Sequence, residues 1–156
     1  MSHNNYLLDM QAKFNRLPFG QRLFSKVFAA KAPYFKTIKP FIETLEPNRC
    51  CVRLPKRKAV HNHIGTVHAI AVCNALEMAM GAMAEASIPK HLRWLPKGLN
   101  VNYVAKSTTD LIAEATVDAD AWQPGDVNVT VKATDANGHV VVEGIIPLWV
   151  TEKPKK

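Results

Sequence analysis

From Ala69 to Ala84 only Asn74 and Glu77 are polar. The spacing predicts one long helix over Thr66–Ala86, with Thr66 as N-cap and Pro89 just past its end. A helix that is apolar nearly all round has to be enclosed. At 1.5 Å per residue, its apolar stretch of about 16 residues falls short of a bilayer's hydrocarbon core, so it reads as a buried helix, not a membrane span.

The flanking segments supply the enclosure. Phe41–Glu46 and Cys50–Leu54 read as strands joined through Pro47-Asn48-Arg49. After the helix, four further strands are expected at about Lys97–Ala105, Leu111–Asp118, Asp126–Asp135 and His139–Thr151. Val127, Val129 and Val131 alternate in the third, and Asp135-Ala136-Asn137-Gly138 forms a hairpin turn. Two strands, one apolar helix and four strands make an α+β domain whose antiparallel sheet wraps a central helix. At the N-terminus, Tyr6–Phe14 and Phe19–Phe28 carry apolar residues at helical spacing and are broken at Leu17-Pro18. Residues 1–36 are therefore expected to be a helical extension packed on the same domain, 37–152 the domain itself, and 153–156 a basic tail.

A chain of 156 residues, 47% hydrophobic and 21% charged, suits one globular domain and excludes a disordered chain. Cys50, Cys51 and Cys73 form no disulfide framework and no C-x-x-C pair, which suggests reduced thiols in the cytoplasm. Met1–Met10 has no cationic stretch followed by an apolar run, so no secretory leader is expected. The net charge of +7 favours anionic partners. Aromatics are not interleaved with the basic residues and no nucleic-acid motif accompanies them, so a coenzyme bearing several phosphates fits better than DNA or RNA.

Glu77 is the anomaly of the apolar helix. A buried carboxylate is costly unless paired, and desolvation raises its pKa towards the range of a general base, whereas donors oppose the shift. The start of the helix supplies a complementary part: its first turn presents unpaired N–H groups and the positive end of the helix dipole, suited to an oxyanion. Gly65 permits a tight turn before the helix, Ala69 leaves room for a carbonyl, and Asn62 can orient a water or the substrate carbonyl.

Asn62, His68 and Glu77 stand in an N-x5-H-x8-[DE] arrangement with Gly65 between the first two. This resembles the hotdog-fold acyl-CoA thioesterases of the phenylacetate-degradation (PaaI-like) type, and the stretch His61–Ala71 resembles an uncharacterised bacterial branch of that superfamily. The resemblance implies a hotdog fold over roughly Ile38–Thr151 and hydrolysis of acyl-CoA or acyl-carrier-protein thioesters. It makes Glu77 the base or nucleophile, Asn62 the orienting amide, the Ala69 N–H the carbonyl-polarising donor, and His68 a residue shaping the site. It implies no metal and no resident cofactor, coenzyme A entering as part of the substrate. It also implies a homodimer or homotetramer whose site is shared between subunits. Nine helical steps place His68 and Glu77 on opposite faces roughly 13 Å apart, which agrees with a shared site. Ala69 and Ile70 stand where two glycines often follow the family histidine, and no serine or threonine matches the one some members place on the next strand.

Other readings stand beside these. Glu77 could pair with His61 or His63, and His61, His63 and His68 could hold a metal with Glu77, although their spacing matches no established zinc pattern. Asn74 could support Glu77 from one turn earlier. His63, Lys56, Arg57, Lys58 and Arg93, with Trp94, are candidate contacts for the substrate and its phosphates. A non-catalytic acyl-binding protein of the same fold is the alternative function, and a hotdog dehydratase a third.

Overall fold

The computed structural model describes residues 5–155. The expectations for Met1–Asn4 and for Lys156 lie outside that range. The elements are α1 (Tyr6–Phe14), α2 (Gly20–Lys31), a 3-10 segment (Pro33–Ile38), β1 (Phe41–Glu46), β2 (Arg49–Leu54), α3 (Ala69–Ser87), β3 (Leu92–Pro96), β4 (Asn100–Tyr103), β5 (Leu111–Thr116), β6 (Gly125–Thr134) and β7 (Val140–Glu152). A short 3-10 turn, Lys58–Val60, precedes α3.

The sheet is antiparallel with strand order β1-β2-β5-β6-β7-β3, and β4 also pairs with β7. It curves around α3, as the sequence leads one to expect. Strand alternation shows why: Val127, Val129, Val131 and Ala133 of β6 and Leu111, Ala113 and Ala115 of β5 are all buried. From α3, Val72, Leu76, Met78, Met80 and Met83 are fully buried in the same core. At roughly 1.5–3 kcal/mol for each large apolar side chain buried, this interface is the main source of stability. Among the described residues α3 is the one helix long and apolar enough to cross a membrane, and most of its surface is spent on the sheet.

One strand expectation changes. The stretch after the helix holds two short strands where one, Lys97–Ala105, is expected. β3 pairs Leu92–Pro96 with Leu148–Glu152, and β4 pairs Asn100–Tyr103 with Val142–Ile145, a bend at Lys97-Gly98-Leu99 separating them. Pro96 is tolerated because it ends an edge strand, where a missing N–H costs little. Gly144 makes the β4 pairing possible: a Cβ there would lie 2.0 Å from the Asn100 carbonyl oxygen.

The N-terminal helices pack on the domain and close one edge of the sheet. Leu7 and Phe24 are fully buried. Asn5 caps α1 through its side chain and donates to the Glu85 carbonyl on α3 at 2.8 Å. On α2, the buried Ser25 hydroxyl donates to the Gln21 carbonyl at 2.8 Å and accepts from the Ile42 N–H at 2.9 Å, while the Gln21 amide donates to the Ile42 carbonyl at 2.6 Å. The N–H and carbonyl of Ile42 on edge strand β1 are satisfied in this way, which blunts the edge at that position.

Candidate functional site

The site is built around the first half of α3. The chain approaches through a loop closed by a bridge between His61 and Val67. Inside it, the Asn62 Oδ1 accepts from the Ile64 and Thr66 N–H groups, both at 3.1 Å, and its Nδ2 donates to the Thr66 Oγ1 at 2.8 Å. Gly65 adopts φ +77°, the left-handed conformation that the turn demands and glycine supplies without strain. The loop is anchored at its far end, the Val67 N–H donating to the Ser107 carbonyl and the His68 N–H to the Val60 carbonyl. Asn62 therefore shapes this loop, and one Nδ2 hydrogen is left for a substrate or water.

The expected cap is displaced by two residues. Thr66 is occupied by Asn62, and His68 is the N-cap, its Nδ1 accepting from the Ile70 N–H at 3.1 Å. That bond assigns the imidazole proton to Nε2. The His68 carbonyl takes the Ala71 and Val72 N–H groups. Of the first turn's donors, the Ala69 N–H alone has no partner among the described residues. A helix N-terminus with a single open N–H is a competent donor to a developing oxyanion.

Glu77 lies two turns further along α3, half-buried, on the stripe formed with Ile70 and Cys73. With Ala69 and Ala71, these are the residues in the first half of α3 that are not fully buried. Ile70 is 53% exposed, and Cys73 Sγ lies 3.8 Å from the hydroxyl of Tyr103 on β4. Among the described residues Glu77 makes no side-chain hydrogen bond or ion pair, with His61 and His63 or with any other group. Burial alone pushes its carboxyl pKa above the usual carboxylate range.

Asn74 does not support Glu77. It is buried, and its Nδ2 donates to the Tyr34 carbonyl and to the Thr37 Oγ1, both at 3.3 Å, tying the 3-10 segment to α3. A helical turn's rotation separates its direction from that of Glu77 by about 60°. The basic candidates do not converge either. Arg57 donates to the Thr37 carbonyl and Lys56 donates its N–H to Asp110 at 2.7 Å, both holding the loop before α3, while Lys58 is exposed. Arg93 lies on β3 and bonds Thr151 at 3.0 Å. Four strand spacings of about 4.8 Å separate β3 from β2, so within one chain Arg93 is remote from Lys56–Lys58. Trp94 donates from its indole N–H to Glu85 at 2.9 Å, beside the C-terminal half of α3. His63 and His68 are exposed, and among the described residues no three His, Cys, Asp or Glu side chains converge.

A sheet wrapped around a central helix, with an unpaired acid on that helix and an open N–H at its start, defines a hotdog-fold protein. A structural-genomics protein 39% identical to this chain superposes with a TM-score of 0.82, covering 95% of this chain and 99% of its own. A thioesterase family protein from Silicibacter pomeroyi (20% identity, TM-score 0.71, 87% and 100% covered) and a thioesterase from Haemophilus influenzae (9%, 0.72, 87% and 93%) share the fold. No curated protein matches the sequence. The chain belongs to the DUF4442 family, a domain of unknown function that matches residues 20–150.

Proposed function

We propose that the chain hydrolyses acyl thioesters, with Glu77 as the general base that activates water and the Ala69 N–H as donor to the oxyanion of the tetrahedral intermediate. The observation that carries this reading is Glu77 itself: a half-buried, partnerless carboxylate with a raised pKa on the uncovered stripe of α3. Such a group costs stability, and a base poised nearer neutrality is what it offers in return. The fold that the chain shares with solved thioesterases supports the reaction class.

Water attacks the thioester carbonyl carbon as Glu77 takes its proton. The intermediate then collapses with expulsion of the thiolate, which leaves as the thiol once protonated. Eight helical steps separate Ala69 from Glu77, a rise of about 12 Å along one helix, too far for both to touch one carbonyl. A second copy related by a two-fold axis brings the Glu77 of one subunit to the helix start of the other. The open β3–β4 edge supports a homodimer or homotetramer, because unlike the β1 edge it has no cover among the described residues and it displays Leu95, Tyr103 and Val104.

A thiol-release assay across short, medium, long and aromatic acyl-CoAs tests the proposal. Glu77→Gln keeps the side chain's size and removes the base, and it is expected to lower kcat by about 10²–10⁴-fold on the best substrate. Turnover equal to wild type would remove Glu77 from the mechanism. The exposed Ile70 beside the open N–H favours a second reading, an acyl-binding protein without hydrolysis; acyl-CoA retained intact through long incubation, with no thiol released, would select it.

A further inference from the structure

A second concave feature lies away from the Glu77 stripe, between α2, the 3-10 segment and the β1–β2 hairpin. It is a cavity of about 830 Å³ with Arg22, Lys26, Lys36, Lys39 and Arg53 on its walls and Asp110 as its one acidic residue. That volume lies within the usual ~300–1,000 Å³ of small-molecule sites. Five cations against one carboxylate would be unusual for a surface selected only for solubility, where opposite signs are interspersed.

Gln21 and Ser25 fix one face of α2 to Ile42, and their sequence neighbours Arg22 and Lys26 occupy the adjoining face, one turn apart, over the cavity. Like charges at i and i+4 on a helix repel, at a small cost in stability. Lys39 sits in the left-handed backbone region at φ 49°, which a side-chain-bearing residue occupies at a cost. Arg22, Lys26, Lys36 and Lys39 form no ion pair among the described residues. Asp110 already accepts the Lys56 N–H, and Arg53 pairs with Glu43 while its guanidinium lies 5.3 Å from the centre of the Phe41 ring. Four uncompensated cations, a fifth only partly neutralised and an aromatic face make a cavity suited to several phosphates and a planar base.

We propose that this cleft is an anion site that seats the nucleotide end of a coenzyme A thioester. The assignment of the substrate rests on the thioester reading above. The 3-10 segment that carries Lys36 is tied to the helix that carries Glu77, the Asn74 amide donating to the Tyr34 carbonyl and the Thr37 hydroxyl. The N-terminal extension thereby acquires a role in recognition, since α2 supplies two of the five cations. A nucleic-acid strand fits less well, because the cations surround one bounded cavity and do not follow a groove.

The test pairs binding with a split of substrates. Adenosine 3′,5′-bisphosphate is titrated by calorimetry into wild type, the double variant Lys26→Glu/Lys36→Glu, and Lys39→Gly, which removes a charge while relieving the left-handed backbone and so keeps the fold. Thiol release is measured for an acyl-CoA and for the N-acetylcysteamine thioester of the same acyl group, which has the scissile bond but no phosphate. Expected results are bisphosphate binding to wild type that weakens with salt, at least about tenfold weaker binding in the double variant, and a similar fall in kcat/KM for the acyl-CoA. The truncated thioester should be hydrolysed equally by all three proteins. The proposal is overturned if wild type does not bind the bisphosphate, if the variants bind it as tightly as wild type, or if both substrates lose activity in parallel. Loss confined to an acyl-carrier-protein substrate, with acyl-CoA untouched, overturns it also. If no thioester is hydrolysed the catalytic proposal fails by itself, and the bisphosphate titration still decides the cleft.

Discussion

Glu77 is legible in the sequence because a carboxylate inside an apolar helix contradicts its surroundings, and the contradiction survives folding: among the described residues no neighbour satisfies it. Its raised pKa has two consequences of opposite kind. If its ionised form is the base, kcat/KM falls as pH drops through a value above the ordinary carboxylate range, and a pH–rate profile with its acid limb at the ordinary Glu value of about 4.3 would contradict this. For stability the sign is set by proton affinity. The folded state holds the Glu77 proton more tightly than the unfolded state does, so ionisation costs stability as pH rises from the unfolded pKa through the folded one. The penalty is complete above the folded value and absent below the unfolded one. Glu77→Gln is therefore expected to raise Tm at neutral pH, and the gain should vanish as pH falls below about 4.3, measured by thermal denaturation across pH. Asn62, His68 and Asn74 were less legible. Thr is a better N-cap than His by propensity, yet Thr66 is held by Asn62 inside a tight loop, and Asn74 finds its partners in a 3-10 segment far away in sequence.

At the level of elements, the helix, both hairpins and the N-terminal pair of helices follow from apolar periodicity and turn chemistry. The split of the last edge into β3 and β4 does not, because both pieces are short and their register depends on Gly144 lying opposite Val101, a pairing the local sequence cannot reveal. Nor does periodicity disclose that α2 is tied to β1 by polar groups. That joint predicts a measurable cost. Ser25→Ala leaves the Ile42 N–H buried without a partner, which should lower stability by about 1–3 kcal/mol in urea unfolding and loosen the cover of the β1 edge. A change within about 0.5 kcal/mol of zero would show that the hydroxyl is dispensable and that apolar contacts alone hold α2.

For the whole molecule, the two sheet edges divide the labour: one is closed by the chain's own α2, the other is open and apolar, in keeping with assembly around a two-fold axis. The separation of helix start and acid, which underlies the proposed shared site, is legible in the sequence, whereas the openness of one sheet edge depends on burial that no local pattern reports. Mixing two inactive variants tests the shared site most directly. Ala69→Pro deletes the open N–H at the first helical position, where proline is well accommodated, and His68 already has the extended φ −62°, ψ 134° that a residue before proline prefers. Glu77→Gln deletes the base. Unfolded together and reassembled in equal amounts, the two chains give hybrid dimers in which one site carries both defects and the other neither. Near-zero activity is expected for each variant alone, with recovery to about a quarter of wild-type turnover in the mixture, since about half the dimers are hybrid and each has one intact site. Activity in the mixture no higher than the average of the two separate variants, with hybrid dimers shown to be present, would contradict a shared site.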